Sequence, residues 1–347
     1  MRILLHCPAF LPRVGGLEIN VATLAQSYAE AGHQVIVWTT TPDPTSAAAT
    51  QVRAFRIVRR PSPWQALRLV RWSDVFVHEN LSLHGVWPLL LVHRPWVVSH
   101  HSWYCRSDGR IAWQDRLKRW IVRYADASIA VSRGMAADLA TPSEVIPNAY
   151  RDRLFRLRPE IPRDRELVFV GRLVSDKGVD LLLESLAQLA RREIRPGLTV
   201  VGDGPDRQML ERLAADLGLS ERVDFLGTRT GEELVRTLNR HQVLVVPSRY
   251  NEPFGIVALE GIACGCFVIG TAGGGLPEAI GPCGSVVPNQ DPPALADAIA
   301  AALADDDALH RAQSAAAGHL ASHTVADTSA RYLRIFVRVA AEDGARG

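Results

Sequence analysis

The amino-acid sequence predicts an α/β protein with two parallel-sheet domains. The chain has 347 residues, 47% of them hydrophobic, which suffices for about two domains of ordinary size, each with its own core. Short apolar strands alternate with helical patterns in two successive series, as is typical of parallel sheets covered by helices on both faces. The predicted domains are residues 1–155 and 156–347.

The first series opens with a βαβ unit. It consists of the strand Ile3–Leu5, a Gly15-Gly16 turn, an amphipathic helix over 17–31 that stops at Gly32, and the strand Gln34–Trp38. Further strands of this domain are predicted at 75–77, 96–99, 127–131 and 144–146.

The second series follows an Arg-, Pro- and Asn-rich segment at 147–165, which is the best candidate linker. The cleft between two such domains is the default place for a ligand. A closing helix at about 324–341 packs either on its own domain or back on the N-terminal domain, and the sequence leaves this choice open. Strands are predicted at 167–171, 198–201, 223–226, 243–246 and 267–269, with helices near 178–191 and 205–217.

Composition narrows the classes of protein. The apolar runs are shorter than the roughly 18 residues that cross a bilayer, and no signal-peptide pattern is present, so a cytoplasmic protein is expected. The cysteines are odd in number and scattered, which favours small core residues over disulfides or a metal site. They are Cys7, Cys105, Cys264, Cys266 and Cys283.

The net charge of +2 combines +8 over residues 1–160 with −6 over the remainder. The positively charged first half is therefore the half expected to bind anions. It lacks a clustered basic run with interleaved aromatic residues, so a solvated Arg-rich surface is favoured over a nucleic-acid partner.

The strongest local feature is a pair of glutamates, Glu252 and Glu260, that enclose the sequence PFGIVAL. Pro253 suits the first turn of a helix and Gly265 its end. Glu260 would then lie among apolar residues, where a carboxylate must be paired or hydrogen-bonded. Ligand hydroxyls would satisfy it; a backbone N–H or a neighbouring Arg is the structural alternative. Exposed amides at the helix start would form an anion site beside it.

A second feature is the segment Gly171–Gly178, which begins where a strand ends and opens a helix. Ligands of open α/β sheets bind at that edge. Arg172 and Lys177 could converge there on a diphosphate, the Arg as a planar fork and the Lys as a compact point charge. Two surface cations on a loop are the structural alternative.

Glycine-rich turns follow strands at 15–16, 202–204 and 273–275. Each fits either a close approach to a ligand or a plain tight turn. None has the spacing of a dinucleotide fingerprint or a phosphate-binding P-loop. His100 and His101 also follow a strand, at the edge expected to face the cleft, and are candidates for acid–base or oxygen-binding roles.

Taken in order, these motifs resemble the retaining glycosyltransferases of family 4, whose GT-B architecture has two Rossmann-like domains facing each other across a cleft. The similarity runs from Gly15-Gly16-Leu17-Glu18 through Ile146-Pro147-Asn148 and the Arg172/Lys177 loop to the Glu252/Glu260 pair. The resemblance implies a hexosyltransferase-like enzyme that uses a nucleoside-diphosphate sugar, with UDP or GDP as the favoured nucleotide. It implies no metal and no other cofactor.

The resemblance also implies roles for individual residues. Arg172 and Lys177 would hold the donor diphosphate and neutralise the charge that develops on it. Glu260 would take the ribose hydroxyls, Glu252 would lie by the donor sugar, and His101 would sit near the reacting carbon. The implied catalytic residues are His101, Arg172, Lys177 and Glu252, and the implied donor-binding residues are Gly16, Arg172, Lys177, Glu252, Phe254, Gly255 and Glu260.

Two positions depart from the family pattern. Ala149-Tyr150 follow Asn148 where the family usually has Gly and an apolar residue, and the pair His100-His101 leaves open which imidazole takes the catalytic place. The short chain predicts reduced insertions for binding the acceptor. These departures affect the acceptor more than the class of reaction.

The expected acceptor is a glycan, a lipid-linked sugar or a small molecule, in the assembly of cell-surface polysaccharide or glycolipid. The basic stretch 113–124 contains Trp113, Trp120 and Tyr124. It fits either a helix lying on an anionic membrane at the inner face or an ordinary domain helix with an Arg-rich outer side.

Other classes stay open. A non-hydrolysing sugar-nucleotide epimerase would share the phosphate and ribose contacts but needs an acid–base set that the sequence does not show. A non-catalytic sugar-nucleotide-binding subunit would keep the same motifs. An NAD-dependent oxidoreductase is disfavoured because the dinucleotide fingerprint is missing.

Overall fold

The computed structural model describes residues 1–12, 15–43, 53–105, 110–139 and 141–345. The chain divides into two compact units. The first comprises Met1–Ala149 together with Val325–Gly347, and the second comprises Tyr150–Thr324. The sequence-based boundary at 155/156 lies just inside the second unit.

The first unit is built on a parallel sheet. Its strands are β1 Arg2–His6, β2 Gln34–Thr39, β3 Arg56–Arg59, β4 Val75–Glu79, β5 Trp96–His100, β6 Ala127–Ala130 and β7 Glu144–Val145. Over the described ranges they form one seven-stranded sheet in the order β3-β2-β1-β4-β5-β6-β7. This is the Rossmann-like order, in which the chain leaves the centre, returns to it and continues on the other side. Ligands bind at the carboxyl ends of such strands.

The central strands of this sheet are largely apolar because helices cover both faces of the sheet. β4 and β5 are buried along their whole length. Successive side chains point to opposite faces, so Leu5 and Val77 enter one core while Leu4 and Phe76 enter the other. The helices of this part of the chain are α1 Gly16–Glu30, α2 Pro63–Trp72, α3 Leu83–Val86, α4 Trp113–Ile121 and α5 Arg133–Asp138.

The second unit repeats this design. Its strands are β8 Arg165–Val170, β9 Leu198–Val201, β10 Val223–Gly227, β11 His241–Val246, β12 Phe267–Thr271 and β13 Gly284–Val287. In the part of the chain that the structure describes, they form one six-stranded parallel sheet in the order β10-β9-β8-β11-β12-β13. The helices are α6 Val179–Arg191, α7 Arg207–Asp216, α8 Gly231–Arg240, α9 Ile256–Ala263, α10 Leu276–Ile280, α11 Pro292–Ala304 and α12 Asp306–Leu320.

The last helix, α13, spans Val325–Gly344 and belongs to the first unit. Its buried residues include Tyr332, Ile335, Phe336 and Val339, which join the core that contains Leu5. Their spacing of three and four residues places them on one face of the helix.

The predicted fold class is confirmed: both sheets are parallel and Rossmann-like. Every strand predicted from the sequence coincides with a strand of the structure, but β3 and β13 were not predicted. Both are short strands at sheet edges, and their sequences, RIVR and GSVV, contain only two apolar side chains each. So short a pattern does not distinguish a strand from a loop.

Candidate functional site

The loop after β8 carries the two predicted cations. Arg172 is exposed, and its guanidinium forms no hydrogen bond or ion pair with the residues described. Lys177 ends a short 3-10 turn, Ser175–Lys177. Neighbouring loops hold the backbone, because Leu173 N donates to Asp203 O and Arg249 N donates to Asp176 O, both at 2.9 Å. The loop therefore has a defined backbone and presents one uncommitted cation.

Lys177 meets Glu252, the first glutamate of the predicted pair. Lys177 Nζ lies 2.5 Å from Glu252 Oε1, and Ser248 Oγ donates to the same oxygen at 2.7 Å. The Glu252 side chain is only 12% exposed, so these charge-assisted bonds are partly shielded from water. Because β8 and β11 are neighbours in the sheet, the loops that follow them bring these residues together at one sheet edge.

The glycine-rich turn at 273–275 supports Glu252. Glu252 forms a parallel bridge with Gly274, and Gly275 N donates to Glu252 O at 2.7 Å. A Cβ at Gly274 would overlap the carbonyl oxygen of Glu252, so only glycine allows this approach. The turn therefore fixes the backbone that carries the carboxylate.

The helix that carries Glu260 begins later than the sequence predicts. α9 starts at Ile256, and Gly255 caps it with a φ of +111°. Pro253 precedes the helix, so the prediction that Pro253 forms its first turn is wrong. The physical reason is Gly255, whose positive φ is open to glycine and breaks the helix on its N-terminal side. Phe254 is buried and packs against the ring of His323.

Glu260 lies within α9 with its side chain 12% exposed. Burial raises the pKa of Glu260 to about 7, and the charge of Arg151 opposes this shift. Arg151 Nη2 donates to Glu260 Oε1 at 3.3 Å, and its guanidinium lies 4.9 Å from the centre of the Phe155 ring. The Arg partner considered from the sequence is thus present, and it leaves Oε2 without a hydrogen bond from the described residues.

In the first unit, Gly16 is the first residue of α1. The preceding residue, Gly15, caps this 15-residue helix without a side-chain hydrogen bond. The amides of its first turn are therefore not satisfied by the capping residue, an arrangement that favours an anion, and the buried carboxylate of Glu18 already lies beside Gly15.

His100 and His101 differ in how their ring nitrogens are used. His100 Nδ1 lies 2.7 Å from Tyr104 OH, and His100 Nε2 lies 3.0 Å from Ser128 Oγ. Burial lowers the pKa of His100 to about 3. Both nitrogens of His100 are committed to the core, which is a structural arrangement.

His101 has only one committed nitrogen. His101 Nε2 lies 2.9 Å from Glu79 Oε2 and 2.8 Å from Ser99 Oγ. His101 Nδ1 has no hydrogen-bond partner among the residues that the structure describes. Of the two histidines, His101 is therefore the one with an unused ring nitrogen.

Three residues that contact the candidate site residues were not predicted from the sequence: Ser248, Arg151 and Glu79. Ser248 stands in the turn just before Glu252, and that proximity was an available signal. Arg151 and Glu79 lie 109 and 22 residues away from the groups they bind. Only the register of the sheet and the return of the chain bring such pairs together, so one sequence does not reveal them.

Over the described residues, no group of three or more His, Cys, Asp or Glu side chains is placed to hold a metal ion. Within the same described residues, no helix has the length and hydrophobicity needed to span a membrane.

Solved glycosyltransferase structures share this architecture. Sucrose-phosphate synthase from Thermosynechococcus elongatus superposes with a TM-score of 0.84 at 24% identity, covering 98% of this chain and 99% of that one. The Anabaena protein HepE, solved in complex with UDP, gives a TM-score of 0.84 at 19% identity over 97% of this chain and 100% of its own. These similarities and the two Rossmann-like domains show that the chain has the GT-B fold.

The family follows from the sequence comparisons. Residues 14–152 match the model for Glycosyltransferase Family 4, and residues 152–319 match the model for Glycosyl transferases group 1. The D-inositol 3-phosphate glycosyltransferase of Corynebacterium urealyticum is 38% identical over 285 residues, which cover 73% of this chain and 67% of that protein. The chain belongs to glycosyltransferase family 4, as its motifs predicted.

Another relative matches over a shorter stretch. The D-inositol 3-phosphate glycosyltransferase of Corynebacterium jeikeium is 42% identical over 154 residues. This match spans 42% of the present chain and only 36% of the length of that relative.

Proposed function

We propose that this glycosyltransferase moves a sugar from a nucleoside-diphosphate sugar to a hydroxyl acceptor with retention of anomeric configuration. The observation that carries the proposal is the contact between Lys177 and Glu252 at one edge of the second sheet, on a loop that also presents the uncommitted cation Arg172. Two cations on one loop, one of them bound to a partly buried carboxylate, suit a ligand with a diphosphate at one end and hydroxyl groups at the other.

Arg172 and Lys177 are the proposed diphosphate ligands. The exposed guanidinium of Arg172 can take two phosphate oxygens, and Lys177 supplies a point charge. As the bond between the anomeric carbon and the phosphate oxygen breaks, negative charge grows on the diphosphate, and these cations stabilise it. This neutralisation supports the proposal that the reaction needs no metal, which an assay with excess chelator tests directly.

Glu260 is the proposed ribose ligand. Its Oε2 has acceptor capacity left after the contact with Arg151, and a carboxylate in apolar surroundings gains from two hydroxyl donors. The amides of Phe254 and Gly255 are proposed to reach the sugar or phosphate. Glu252, which the turn at 273–275 holds in place, is proposed to bind the donor sugar.

The first unit is proposed to contribute two groups to donor recognition. One is the first turn of α1 at Gly16, whose amides favour a phosphate. The other is His101, whose free Nδ1 supports a contact with the sugar near its reacting carbon.

The proposed chemical step keeps the incoming and leaving groups on one face of the sugar. The acceptor oxygen forms a bond to the anomeric carbon as the bond to the diphosphate oxygen breaks. The electron pair of that bond goes to the leaving oxygen, and the acceptor proton passes to a phosphate oxygen. UDP is one favoured nucleotide, since the structurally similar HepE was solved with UDP; GDP is the other.

The acceptor is proposed to be a glycan or lipid-linked sugar that the protein meets at an anionic membrane. The supporting observation is α4 and the turn after it, where Trp113, Trp120 and Tyr124 are 69%, 53% and 66% exposed. α4 buries none of its residues fully. Exposed aromatic and basic side chains on one helix favour the lipid–water interface.

The proposed reaction is tested with the purified protein, sugars linked to UDP, GDP, ADP and TDP, and a set of glycan and lipid-linked acceptors. We expect acceptor-dependent release of one nucleoside diphosphate and, by NMR, a product whose anomeric configuration equals that of the donor. An inverted product would contradict retention. Binding of a nucleotide sugar with conversion to an epimer, or with no turnover, would contradict transfer.

A further inference from the structure

The buried carboxylate of Glu79 contacts the ring of His101 and is not among the groups proposed to bind the donor. Glu79 is the last residue of β4, and its side chain is fully buried. Its Oε2 lies 2.9 Å from His101 Nε2, while its Oε1 has no hydrogen-bond partner in the described ranges. An ionised carboxylate only accepts hydrogen bonds, and burying one without a donor is costly. An ionised Glu79 therefore requires a proton on His101 Nε2.

His101 Nε2 has a second contact, with the hydroxyl group of Ser99. Ser99 Oγ lies 2.8 Å from His101 Nε2 and 2.7 Å from the hydroxyl of Tyr332 on α13. Burial raises the pKa of Tyr332, and the nearby charge of Glu79 adds to this, so the phenol stays protonated and able to bond. Tyr332 of α13 is therefore linked to His101 through the hydroxyl group of Ser99.

The backbone of His101 is fixed as well. Its N–H donates to Asn80 Oδ1 at 2.7 Å, and Asn80 N donates to Ser99 O at 2.8 Å. Glu79 and Ser99 are register partners on the adjacent strands β4 and β5. The ring is therefore oriented by rigid elements, as a precisely placed functional group requires.

These contacts leave Nδ1 without a partner among the described residues; the atom is buried, in a side chain that is 3% exposed. Which nitrogen of a histidine is available is set by the hydrogen bond that the other one makes. A sugar hydroxyl suits Nδ1 in either charge state of the ring, because a hydroxyl both donates and accepts.

We propose that Glu79 is the positioning residue of His101: it holds a proton on Nε2 and so dedicates Nδ1 to a hydroxyl of the transferred sugar, with Tyr332 supporting the arrangement through Ser99. The assignment of the ligand hydroxyl rests on the proposed function. The assignment of the proton does not.

NMR of the whole protein labelled with ¹⁵N-histidine tests the proton assignment without any substrate. The His101 signals are identified by their loss in His101→Gln. We expect Nε2 to be protonated in the wild type. We expect its proton occupancy to fall in Glu79→Gln, because an amide offers a donor as well as an acceptor and frees the ring to change tautomer. An unprotonated Nε2 in the wild type, or an unchanged distribution in the variant, would overturn the proposal.

Kinetics on a donor that the wild type uses test the functional part. In Glu79→Gln we expect kcat to fall by about tenfold to a hundredfold, as for other residues that orient a functional group, with donor KM changed by less than about threefold. Tyr332→Phe should lose a smaller part of kcat, because it removes one hydroxyl at the far end of the chain of contacts.

Tyr28→Phe is the matched control. It removes another hydroxyl from the same core, one that has no hydrogen-bond partner in the described part of the chain, so kcat should equal that of the wild type. Wild-type kcat in Glu79→Gln, or an equal loss in Tyr28→Phe, would contradict a positioning role. If no donor is turned over, the proposed function fails, and the NMR result still decides where the proton lies.

Discussion

Among single residues, Lys177 is the one on which the proposed reaction should depend most. Its ammonium contacts Glu252 at 2.5 Å and lies on the same loop as Arg172. In Lys177→Ala the charge that develops on the leaving diphosphate loses a stabilising partner, which typically costs about 3 kcal/mol, or about a hundredfold in turnover. Release of nucleoside diphosphate from the donor measures this loss.

Arg165→Ala provides the control for Lys177→Ala. Arg165 begins β8, whereas Lys177 follows its carboxyl end, and Arg165 pairs only with the exposed Asp224 among the contacts described. Both variants remove one positive charge, at opposite ends of one strand. Turnover should be unchanged in Arg165→Ala, and equal losses in the two variants would refute a local role for Lys177.

Glu260 predicts a pH dependence of nucleotide binding. Burial raises the pKa of Glu260 to about 7, so the carboxyl group is ionised above that pH and protonated below it. The ionised form is the one proposed to accept two ribose hydroxyls, so it should bind the nucleotide better. We therefore expect affinity for the preferred nucleoside diphosphate to weaken as the pH falls below 7, by up to about tenfold per unit.

Calorimetric titrations from pH 5.5 to 8.5 measure this dependence. Glu260→Gln should bind more weakly and lose the step near pH 7. Arg151→Met should move the step to higher pH, because the charge of Arg151 is what lowers the pKa of Glu260. A step that persists in Glu260→Gln would assign the titration to another group.

The residues that sequence reasoning found and those it missed differ in one respect. Arg172, Lys177, Glu252 and Glu260 lie in local patterns of glycine, proline and charge at strand ends. Arg151 has no such pattern, because its partner is 109 residues away. Local clusters of charged residues could therefore be recognised in the sequence, whereas contacts made by the tertiary fold could not.

At the scale of elements, α4 carries the prediction about membranes. The wild-type protein should sediment together with vesicles in which about one third of the lipid is anionic. The double variant Trp113→Ala/Trp120→Ala should reduce the bound fraction, because these exposed side chains supply the apolar contact with the membrane. Trp64→Ala changes a tryptophan that is 75% exposed on α2 and should leave binding unchanged. An equal reduction in both would exclude a specific role for α4.

The helix α9 shows how far local sequence rules reach. The sequence correctly predicted a helix around Glu260, because apolar residues surround it. Its start was predicted at Pro253, since proline suits a first turn, but the positive φ of Gly255 moves it to Ile256. A glycine has several allowed conformations, and the packing of the surrounding residues selects one of them.

At the scale of the whole molecule, the chain returns to its first unit in α13. Phe336 on this helix is fully buried in the first core. Phe336→Ala should lower the free energy of unfolding of this unit by about 3 to 5 kcal/mol through the cavity it leaves. Thermal unfolding measures the effect, with Val337→Ala, at a site that is 53% exposed, as the control that should remain near wild type.

Nucleotide binding should largely survive this change, because Arg172, Lys177 and Glu260 all lie in the second unit. Calorimetry on folded Phe336→Ala at low temperature checks this expectation. A loss of affinity comparable to that expected for Lys177→Ala would show that these ligands do not bind the nucleotide independently of the first core.

The fold class could be predicted because two series of alternating strands and helices cover nearly the whole chain. The destination of the last helix could not, because an amphipathic face such as that of Tyr332, Ile335 and Phe336 fits any apolar surface of suitable shape. Such a choice depends on the three-dimensional packing of both units.

We propose that the second unit binds a nucleoside diphosphate through Arg172, Lys177 and Glu260. The measurement that tests it most directly is a calorimetric titration of the wild-type protein with UDP, GDP, ADP and TDP in the presence of a chelator, repeated with Lys177→Ala. The account predicts that one of these nucleotides binds tightly without metal and that the variant loses most of the affinity. Binding of none of them, or equal binding by the variant, would contradict it.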